Sequence, residues 1–477
     1  MEKVLLPVSK SLYIRKLIYS FLRNGCIGVI PSDVSEDVRI VHHCLTCISQ
    51  GARDGVEQDE SVLIDVRDCG AAYRFLMAVL AITPGQWLLT GNPRLLQRPI
   101  EELVQALRSI GAEIQWCSCR DVPWRVSDDE KGEFSCRDVP WRVSTNTAYN
   151  VFWQIHGKPL HASELTIDCT RSGQFASALL LISDKIGLKN LNILPQSPSS
   201  SAYIAMTKSI VDGMVDLEAN HMGDWSAAVY WYARLLLSRQ KPDVQQAESM
   251  VPNDSPATKS ETVPGSYKLL HLDLHSIQSD AVLARWFSDW GIESRQDDDG
   301  VVISYNECLI KPQEVIELDM NQNVDLVPVL ACMACLWPKT MVFNGVANLK
   351  YKESDRLKVI QEQLSPYANI ELNAYDGIND NQLVVNSISC RDVPWRVSAN
   401  NAISCRDAMH SISTNENCSN NTPIVFSFDA HNDHRFVMGF SLFALKGKVQ
   451  IKGFDCVRKS YPNFKAEGVV AGPDIIG

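Results

Sequence analysis

Short apolar strand patterns alternate with amphipathic helical patterns along most of this chain, and the alternation limits the folds it can adopt. Residues 11–23 place their Leu, Ile and Phe side chains mostly on one side of a helix, and residues 71–80 and 100–110 show the same period. Strand patterns lie beside these helices at 87–90 and 113–116. Because strands that alternate with helices are typical of helix-covered sheets, the sequence predicts an α/β fold.

The same alternation recurs further along the chain. A strand pattern at 165–168 precedes a helical pattern at 171–183, and a strand pattern at 340–344 lies between helical patterns at 325–336 and 353–363. A length of 477 residues suits two or three domains. The sequence therefore predicts several similar α/β units.

Composition excludes some classes of function. The formal charge of -11 argues against general nucleic-acid binding. No apolar stretch approaches the roughly 18 residues that a membrane span needs. The first residues lack the layout of a signal peptide, because their apolar run is short and meets Pro7. We therefore expect a cytoplasmic protein.

Two CxxC pairs occur among the fifteen cysteines, at Cys44/Cys47 and Cys332/Cys335. A zinc site shared by the two pairs is one interpretation. Each pair lies in an apolar, helical pattern, which favours buried thiols in a reducing compartment.

Short motifs that set Lys or Arg beside Ser, Asn or Gly recur near predicted element ends, although the chain as a whole is acidic. In chain order they are Pro7–Arg15, Gly70–Arg74, Arg94–Pro99, Lys352–Arg356, Asn432–Arg435 and Lys459–Pro462. Arg pairs bidentately with phosphate and carboxylate groups, and Lys adds a compact point charge. The motifs predict a site for one or two small ligands that carry several negative charges.

These motifs, in this order, resemble the 5-enolpyruvylshikimate-3-phosphate (EPSP) synthase family from about Leu6 to Phe464. Further blocks support the resemblance: Ser35–Arg39, Leu89–Arg94, Ser172–Phe175 and Asp224–Ala228. The resemblance implies two domains that form an inverted α/β prism, each built from three βαβαββ units. It places the first domain at residues 1–8 plus 225–477 and the second at residues 9–224.

The resemblance also implies a reaction. The family transfers the enolpyruvyl group of phosphoenolpyruvate to the 5-hydroxyl of shikimate 3-phosphate and releases phosphate, a step of the shikimate pathway to chorismate and the aromatic amino acids. No metal or organic cofactor is needed. The expected partners are the two small substrates, with no nucleic acid and no membrane, and the expected state is a monomer.

Site residues carry over from the family motifs position by position. Asp325 is expected to accept the hydroxyl proton, Glu353 to donate a proton to the methylene carbon, and Lys10 to contact both substrates. The shikimate 3-phosphate set is Lys10, Ser11, Arg15, Ser172, Gly173, Gln174, Ser200, Asp325, Asn348 and Lys352. The phosphoenolpyruvate set is Lys10, Gly70, Arg98, Gln174, Arg356, Arg435 and Lys459. Tyr203 is expected to stack on the substrate ring, and His434 to be structural.

Several residues depart from the family pattern. Asp68 replaces an Asn near the phosphate, where a carboxylate repels an anion unless it is paired or protonated. Ala71 replaces Thr, and Phe75 follows Arg74 where many members sensitive to glyphosate have Pro. Because glyphosate occupies the phosphoenolpyruvate pocket beside Gly70, these changes predict weakened inhibition.

Other departures are insertions and one loss. The sequence Ser-Cys-Arg-Asp-Val-Pro-Trp-Arg-Val-Ser occurs at 118–127, 135–144 and 389–398. We interpret the repeats as loop insertions, although their Arg and Trp also suit nucleic-acid contact. The inserted segments are about 117–149, 241–266 and 387–421, and the second is polar enough to be disordered. After a helix at 206–214 the chain is shortened as far as 224, which puts the integrity of that unit in doubt.

Two other functions stay open at this point. The related UDP-N-acetylglucosamine enolpyruvyl transferase shares the fold but lacks the Lys-Ser-x-x-x-Arg signature. A degraded paralogue that binds anions without turnover is the second alternative.

Overall fold

The structure is a computed structural model that describes part of the chain. It describes residues 1–25, 27–31, 34–53, 61–118, 151–195, 201–214, 222–240, 264–374, 380–387, 425–466 and 469–471. Ser200, the repeat copies beyond Ser118 and most of the predicted insertions lie outside these residues.

The first half of the chain contains seven strands and seven helices within the described residues. They are β1 Glu2–Leu5, α1 Lys10–Asn24, α2 Glu36–Arg53, β2 Val62–Asp65, α3 Gly70–Ile82, β3 Gly85–Thr90, α4 Pro93–Leu96, α5 Glu101–Ser109, β4 Glu113–Ser118, β5 Val151–Gly157, β6 Glu164–Asp168, α6 Gln174–Ile186, β7 Asn190–Leu194 and α7 Ser201–Val211.

The second half continues the alternation. Its elements are α8 Trp225–Ser238, β8 Ser266–Leu270, α9 Leu283–Asp289, β9 Ile292–Asp297, β10 Gly300–Tyr305, β11 Val315–Asp319, α10 Val327–Leu336, β12 Thr340–Asn344, α11 Arg356–Leu364, β13 Ala368–Ala374, β14 Asp380–Ser387, β15 Val425–Asp429, α12 His434–Phe440, β16 Lys448–Lys452 and β17 Val469–Ala471. Short 3-10 helices include Val324–Leu326, Ala347–Tyr351 and Phe454–Lys459.

One βαβαββ topology is repeated. The sheet β2-β3-β5-β4 and the sheet β11-β12-β14-β13 share one strand order, in which the first pair is parallel and the remaining pairs are antiparallel. The sheet β1-β8-β10-β9 has the same order. Its first two strands are far apart in sequence, because the segment from α1 to α7 lies between them. The predicted α/β repeat is therefore confirmed.

Two further sheets are smaller in the described part of the chain. The strands β6 and β7 form a parallel pair, and β15, β16 and β17 form a parallel sheet of three strands. The pair β6–β7 belongs to the unit that the sequence identified as shortened, and residues 215–221 of the shortened segment lie outside the described residues.

The chain passes between the two halves twice, and the two passages are bonded to each other. Val8 and Gly223 form an antiparallel bridge. The Ser9 N–H donates to the Met222 carbonyl at 2.6 Å, and the Asp224 N–H donates to the Pro7 carbonyl at 2.9 Å. A Cβ on Gly223 would lie 2.7 Å from the His271 carbonyl oxygen, so only glycine allows this close approach.

Two separate hydrophobic cores lie on either side of this crossing. One core contains Val4, Leu6 and buried residues from Trp225 to Phe464. The other contains buried residues from Leu12 to Ile210. In both, apolar helices are buried against helices and sheet faces; α3, for example, is buried along almost its whole length.

Several predicted element ends were wrong. The helix predicted at 171–183 begins at Gln174, and the helix predicted at 353–363 begins at Arg356, where Asp355 caps it by accepting from the Lys358 N–H. The helix predicted at 206–214 is α7. Strands β4, β8 and β14 extend into the ends of the predicted insertions, so Cys117, Ser266 and Ser387 are strand residues.

Candidate active site

A cavity of about 100 Å³ lies between the two cores. Its lining includes eight Lys or Arg side chains and three carboxylates, although the whole chain carries a charge of -11. Helix starts and turns supply these groups: Lys10, Ser11, Ile14, Arg15, Asp37, Gly70, Ala71, Arg74, Arg98, Arg171, Ser172, Gly173, Gln174, Tyr203, Asp325, Asn348, Tyr351, Lys352, Glu353, Arg356, His434 and Arg435. The cavity brings together every predicted site residue except Ser200 and Lys459.

Arg356 lies at the centre of a network of three carboxylates. Its Nε and Nη2 donate to Asp433 at 2.7 and 3.3 Å, Nη1 donates to Asp325 at 2.7 Å, and Nη2 donates to Glu353 at 2.9 Å. Asp433 and Arg356 are fully buried. Through these bonds Arg356 positions Asp325 and Glu353, the two predicted proton-transfer residues. One N–H on Nη1 is left to donate to a ligand.

Asp325 is an ionised carboxylate in this arrangement. Burial acts to raise its pKa, but Lys352, Arg356 and Arg435 hold the pKa well below its usual range. The Lys352 ammonium lies 3.2 Å from Asp325 Oδ1, and the Tyr203 hydroxyl donates to Oδ2 at 3.2 Å. Asp325 can therefore accept a proton, provided that a ligand offers one.

Glu353 is ionised for the same reason. Burial acts to raise its pKa, but the charges of Arg356 and Arg98 outweigh burial and hold the pKa well below its usual range. Arg98 Nη1 lies 3.9 Å from Glu353 Oε1 across the boundary between the two cores. Anions bound to these cations would weaken their effect and would therefore raise the pKa of Glu353.

Arg15 and Arg74 are buried and have no carboxylate partner among the described residues. Arg15 donates to Thr207 Oγ1 at 2.7 Å and to the Ser11 carbonyl at 2.8 Å. Burial lowers its pKa to about 10. Arg74 donates to Gln174 Oε1 at 2.7 Å, and burial lowers the pKa of Arg74 to about 9. Both cations favour an anion in the cavity, because a buried charge is stable only when it is compensated.

Buried donors without a partner also surround the cavity. Within the described residues, Arg98 Nε, Arg435 Nε and Nη1, and both ring nitrogens of His434 accept or donate no hydrogen bond. Burial lowers the pKa of His434 well below its usual range, so the ring is neutral. Such buried polar atoms indicate a place for ligand oxygens.

Gly70 brings the start of α3 against Arg98. A Cβ at Gly70 would lie 2.6 Å from Arg98 Nη1. Any side chain there would displace the guanidinium, so glycine is needed for the close approach.

The remaining predicted residues lie at the first turns of helices. Lys10 begins α1 and pairs with Asp37 at 2.9 Å. Ser11 follows it, whereas the cap of α1 is Ser9. Ser172 and Gly173 precede α6, and Asn348 lies in the 3-10 helix Ala347–Tyr351. Exposed N–H groups at such helix starts favour anionic or hydroxylated ligands.

Lys459 lies outside the cavity lining. Its ammonium is 3.1 Å from Asp68 Oδ2 and donates to the Asn432 carbonyl at 3.3 Å. The carboxylate that the sequence identified as repulsive is therefore paired. Ser200 lies outside the described residues, and Ser201 donates to Gln322 Oε1 at 2.9 Å.

The sequence motifs assign no role to Asp37, Arg74, Arg171 or Asp433, which line the cavity or hold its arginines. Three of them lie inside the quoted motif blocks, and Arg171 precedes Ser172. The sequence signal for these residues was an acidic residue or an additional Arg within or beside a cationic motif. The sequence does not show which cation each acidic residue pairs with.

The two cores and the cationic cavity between them define an α/β enzyme with two domains that binds small polyanionic ligands. The family model of EPSP synthase (3-phosphoshikimate 1-carboxyvinyltransferase) matches residues 6–138, 262–388 and 412–467. The chain belongs to this family, as the sequence motifs predicted.

Similar proteins and similar solved structures carry the name of the same family. A 3-phosphoshikimate 1-carboxyvinyltransferase from Bacteroides fragilis is 26% identical over 481 aligned residues, which cover 96% of this chain and 92% of that protein. An enzyme of the same name from Pyrococcus abyssi is 24% identical and covers 97% of this chain. The EPSP synthase structure from Acinetobacter baumannii superposes with a TM-score of 0.54 at 15% identity, covering 96% of this chain and 93% of that one. The likeness confirms the predicted fold.

Further observations concern membrane spans, metal sites and cysteines. No helix in the described ranges is long and apolar enough to cross a membrane. Among the same residues, no group of three or more His, Cys, Asp or Glu side chains could hold a metal ion. Both CxxC pairs are buried thiols, and burial raises the pKa of Cys332 well above its usual range.

Proposed function

We propose that this chain transfers the enolpyruvyl group of phosphoenolpyruvate to the 5-hydroxyl of shikimate 3-phosphate and releases phosphate. Family membership supports the reaction, and the comparisons do not favour transfer to UDP-N-acetylglucosamine. The observation that carries the proposal is the charge of the cavity: eight cations face three carboxylates. Two substrates with phosphate and carboxylate groups would supply the missing negative charge.

The chemistry is addition followed by elimination. The 5-hydroxyl oxygen attacks C2 of phosphoenolpyruvate, Asp325 takes the hydroxyl proton, and Glu353 gives a proton to C3, which becomes a methyl group. Glu353 then takes a proton back from C3, which expels phosphate and restores the double bond. Over the two steps together, the proton that Asp325 took from the 5-hydroxyl leaves with phosphate.

The state of Glu353 sets the order of events. The carboxylate is ionised while Arg98, Arg356 and Lys10 face it. Phosphoenolpyruvate bound to those cations would compensate them and leave the burial of Glu353 to favour its protonated form. The acid would then be ready only when the substrate that receives its proton is present.

Shikimate 3-phosphate is assigned to the side of the cavity formed by Arg15, Gln174 and Asn348. Arg15 lacks a carboxylate partner in the described structure and would pair with the substrate phosphate. Arg74 holds the Gln174 carbonyl oxygen, so the Gln174 amide nitrogen is left to donate to a substrate oxygen. Lys10, Ser11, Ser172 and Gly173 complete this side in the proposal, together with Lys352.

The domain division is part of the proposal. Residues 1–8 and 225–477 would form one domain and residues 9–224 the other. The two hydrophobic cores and the bonded crossing at Val8 and Gly223 support this division. We also propose that the protein acts as a cytoplasmic monomer without nucleic acid.

A phosphate-release assay tests the function. Release that requires both shikimate 3-phosphate and phosphoenolpyruvate supports the proposal. Release with UDP-N-acetylglucosamine in place of shikimate 3-phosphate would contradict it. Binding of both substrates without turnover would instead identify a degraded paralogue.

A further inference from the structure

An ion pair joins the two halves of the molecule beside the cavity. Asp68 lies just before α3, whose side chains belong to the core of Leu12 to Ile210. Lys459 ends a 3-10 helix whose Cys456 and Val457 belong to the other core. The distance between Lys459 Nζ and Asp68 Oδ2 is 3.1 Å.

Both partners are next to groups of the cavity. Asp68 is two residues before Gly70, which lines it. Lys459 is bonded to the carbonyl of Asn432, and the residues that follow Asn432 hold Arg356 and line the cavity. Burial acts to lower the pKa of Lys459, and Asp68 raises it above its usual value, so the ammonium is charged. A full positive charge thus lies next to the cavity and is neutralised by the protein itself.

We propose that Asp68 is a positioning residue that determines affinity for phosphoenolpyruvate: its carboxylate occupies Lys459, and an anionic group of that substrate must displace it. The inference rests on the proposed function, in which Lys459 binds phosphoenolpyruvate. It differs from simple repulsion, because Asp68 acts here through one named cation.

The pair is suited to such an exchange. The Asp68 side chain is 41% exposed and also accepts a hydrogen bond from Asn92 Nδ2, so a displaced carboxylate keeps one partner and reaches water. Asp433 on Arg356 is fully buried and has no comparable route to solvent. The Lys459 side chain is only 16% exposed, so the exchange moves the carboxylate into water and leaves the cation in place.

The experiment compares Asp68→Asn with wild type. The amide keeps an oxygen for Asn92 and removes the negative charge that neutralises the Lys459 ammonium. We expect the Kd of phosphoenolpyruvate, measured by calorimetry without shikimate 3-phosphate so that no turnover occurs, to fall roughly two- to fivefold. The KM of phosphoenolpyruvate should fall in parallel, with kcat within about twofold of wild type. Asp68→Ala should act in the same direction if the Asn variant folds poorly.

A second background separates competition from repulsion. In Lys459→Met, Asp68→Asn should leave the affinity for phosphoenolpyruvate unchanged, because no ammonium remains to be released. Asp455→Asn is the matched control: this exposed carboxylate lies on the same 3-10 helix and pairs with Arg458. Asp455→Asn should leave the affinity for phosphoenolpyruvate unchanged.

Two results would overturn the inference: unchanged affinity in Asp68→Asn, or an equal gain in the Lys459→Met background. The calorimetric readout does not depend on turnover. Failure of the proposed reaction would appear separately, as absence of phosphate release from wild type with both substrates.

Discussion

The Tyr203 hydroxyl donates to Asp325 Oδ2 at 3.2 Å, and this bond crosses from one hydrophobic core to the other. Tyr203 packs against the core of α1, α3 and α6, while the neighbours of Asp325 on both sides are buried in the second core. The expected base is therefore held between the halves before substrate arrives. Burial, with Asp280 and Asp325 nearby, raises the pKa of Tyr203 well above its usual value, so it remains a donor.

Loss of the ionisable groups should separate chemistry from binding. Asp325→Asn and Glu353→Gln keep the side-chain size but can neither accept nor give the required proton. Each variant should lower kcat by roughly 10²-fold or more, with smaller changes in KM. Steady-state phosphate release measures both constants. Glu317→Gln, an exposed carboxylate on β11, serves as the control, and near-normal kcat in both site variants would remove them from the catalytic set.

The buried cation of α1 should determine affinity for shikimate 3-phosphate. Arg15→Gln removes the unpaired charge, and hydrogen bonds to charged groups contribute about 1.5–3 kcal/mol, so the Kd should rise roughly 10- to 100-fold. Arg23→Gln changes the exposed last turn of the same helix and should leave the Kd alone. The comparison needs calorimetry and a melting curve for each variant. If both substitutions weaken binding equally, Arg15 is not the phosphate contact.

Much of this site could be predicted from the sequence because its motifs lie at element ends. The lining contains the motif residues from Lys10 to Arg435 that were assigned to ligands. Periodicity also gave the strand at 340–344 correctly. The pairing of Asp68 with Lys459 could not be read in this way, because it depends on how two distant segments meet. The helix start at Arg356 was missed because the Asp355 cap, rather than the apolar period, fixes it. The start at Gln174 was missed as well, and there the Gln174 N–H donates to Ser172 Oγ at 3.3 Å.

The segment between β4 and β5 should be dispensable. Ser118 and Val151 are register partners in this antiparallel pair, so the two strand ends are adjacent. Replacing residues 119–150 with a two-residue Asn-Gly turn suits such a hairpin. We expect soluble protein with activity within a few-fold of wild type, because loop length changes closure entropy slowly. Loss of folded protein, judged by circular dichroism and gel filtration, would give this segment a structural role.

A buried carboxylate should make stability depend on pH. Burial raises the pKa of Asp280 from 3.8 to about 6, although Asn323 and Ser226 donate hydrogen bonds to it. The folded state therefore binds the proton more tightly. This contribution is fully present below about pH 4 and is lost as the pH rises through about 6, by about 3 kcal/mol in total.

Asp280→Asn removes that dependence. The stability of the variant relative to wild type should rise between about pH 4 and pH 7, as measured by denaturant unfolding at each pH. Asp319→Asn, at an exposed position on β11, is the control. A difference that stays constant with pH would show that Asp280 does not titrate in this range.

The phosphoenolpyruvate pocket should also resist glyphosate. Gly70 and Ala71 line the cavity, and Gly70 lies against Arg98 so closely that a Cβ would approach Nη1 to 2.6 Å. Small shifts of the start of α3 would therefore move the Arg98 guanidinium, which we expect to face the inhibitor. Asp68 meanwhile holds Lys459, which reduces the positive charge available to a phosphonate.

Restoring the family residues tests this prediction. Asp68→Asn/Ala71→Thr should be inhibited by glyphosate at roughly tenfold lower concentration than wild type, since about 1.4 kcal/mol corresponds to a tenfold change in binding. Its KM for phosphoenolpyruvate should fall as well. An inhibition titration at fixed phosphoenolpyruvate measures both enzymes, and Ala71→Thr alone divides the effect between the two positions. Equal inhibition of wild type and the double variant would mean that neither position shapes the pocket, because the inhibitor would then bind independently of the start of α3 and of the charge on Lys459.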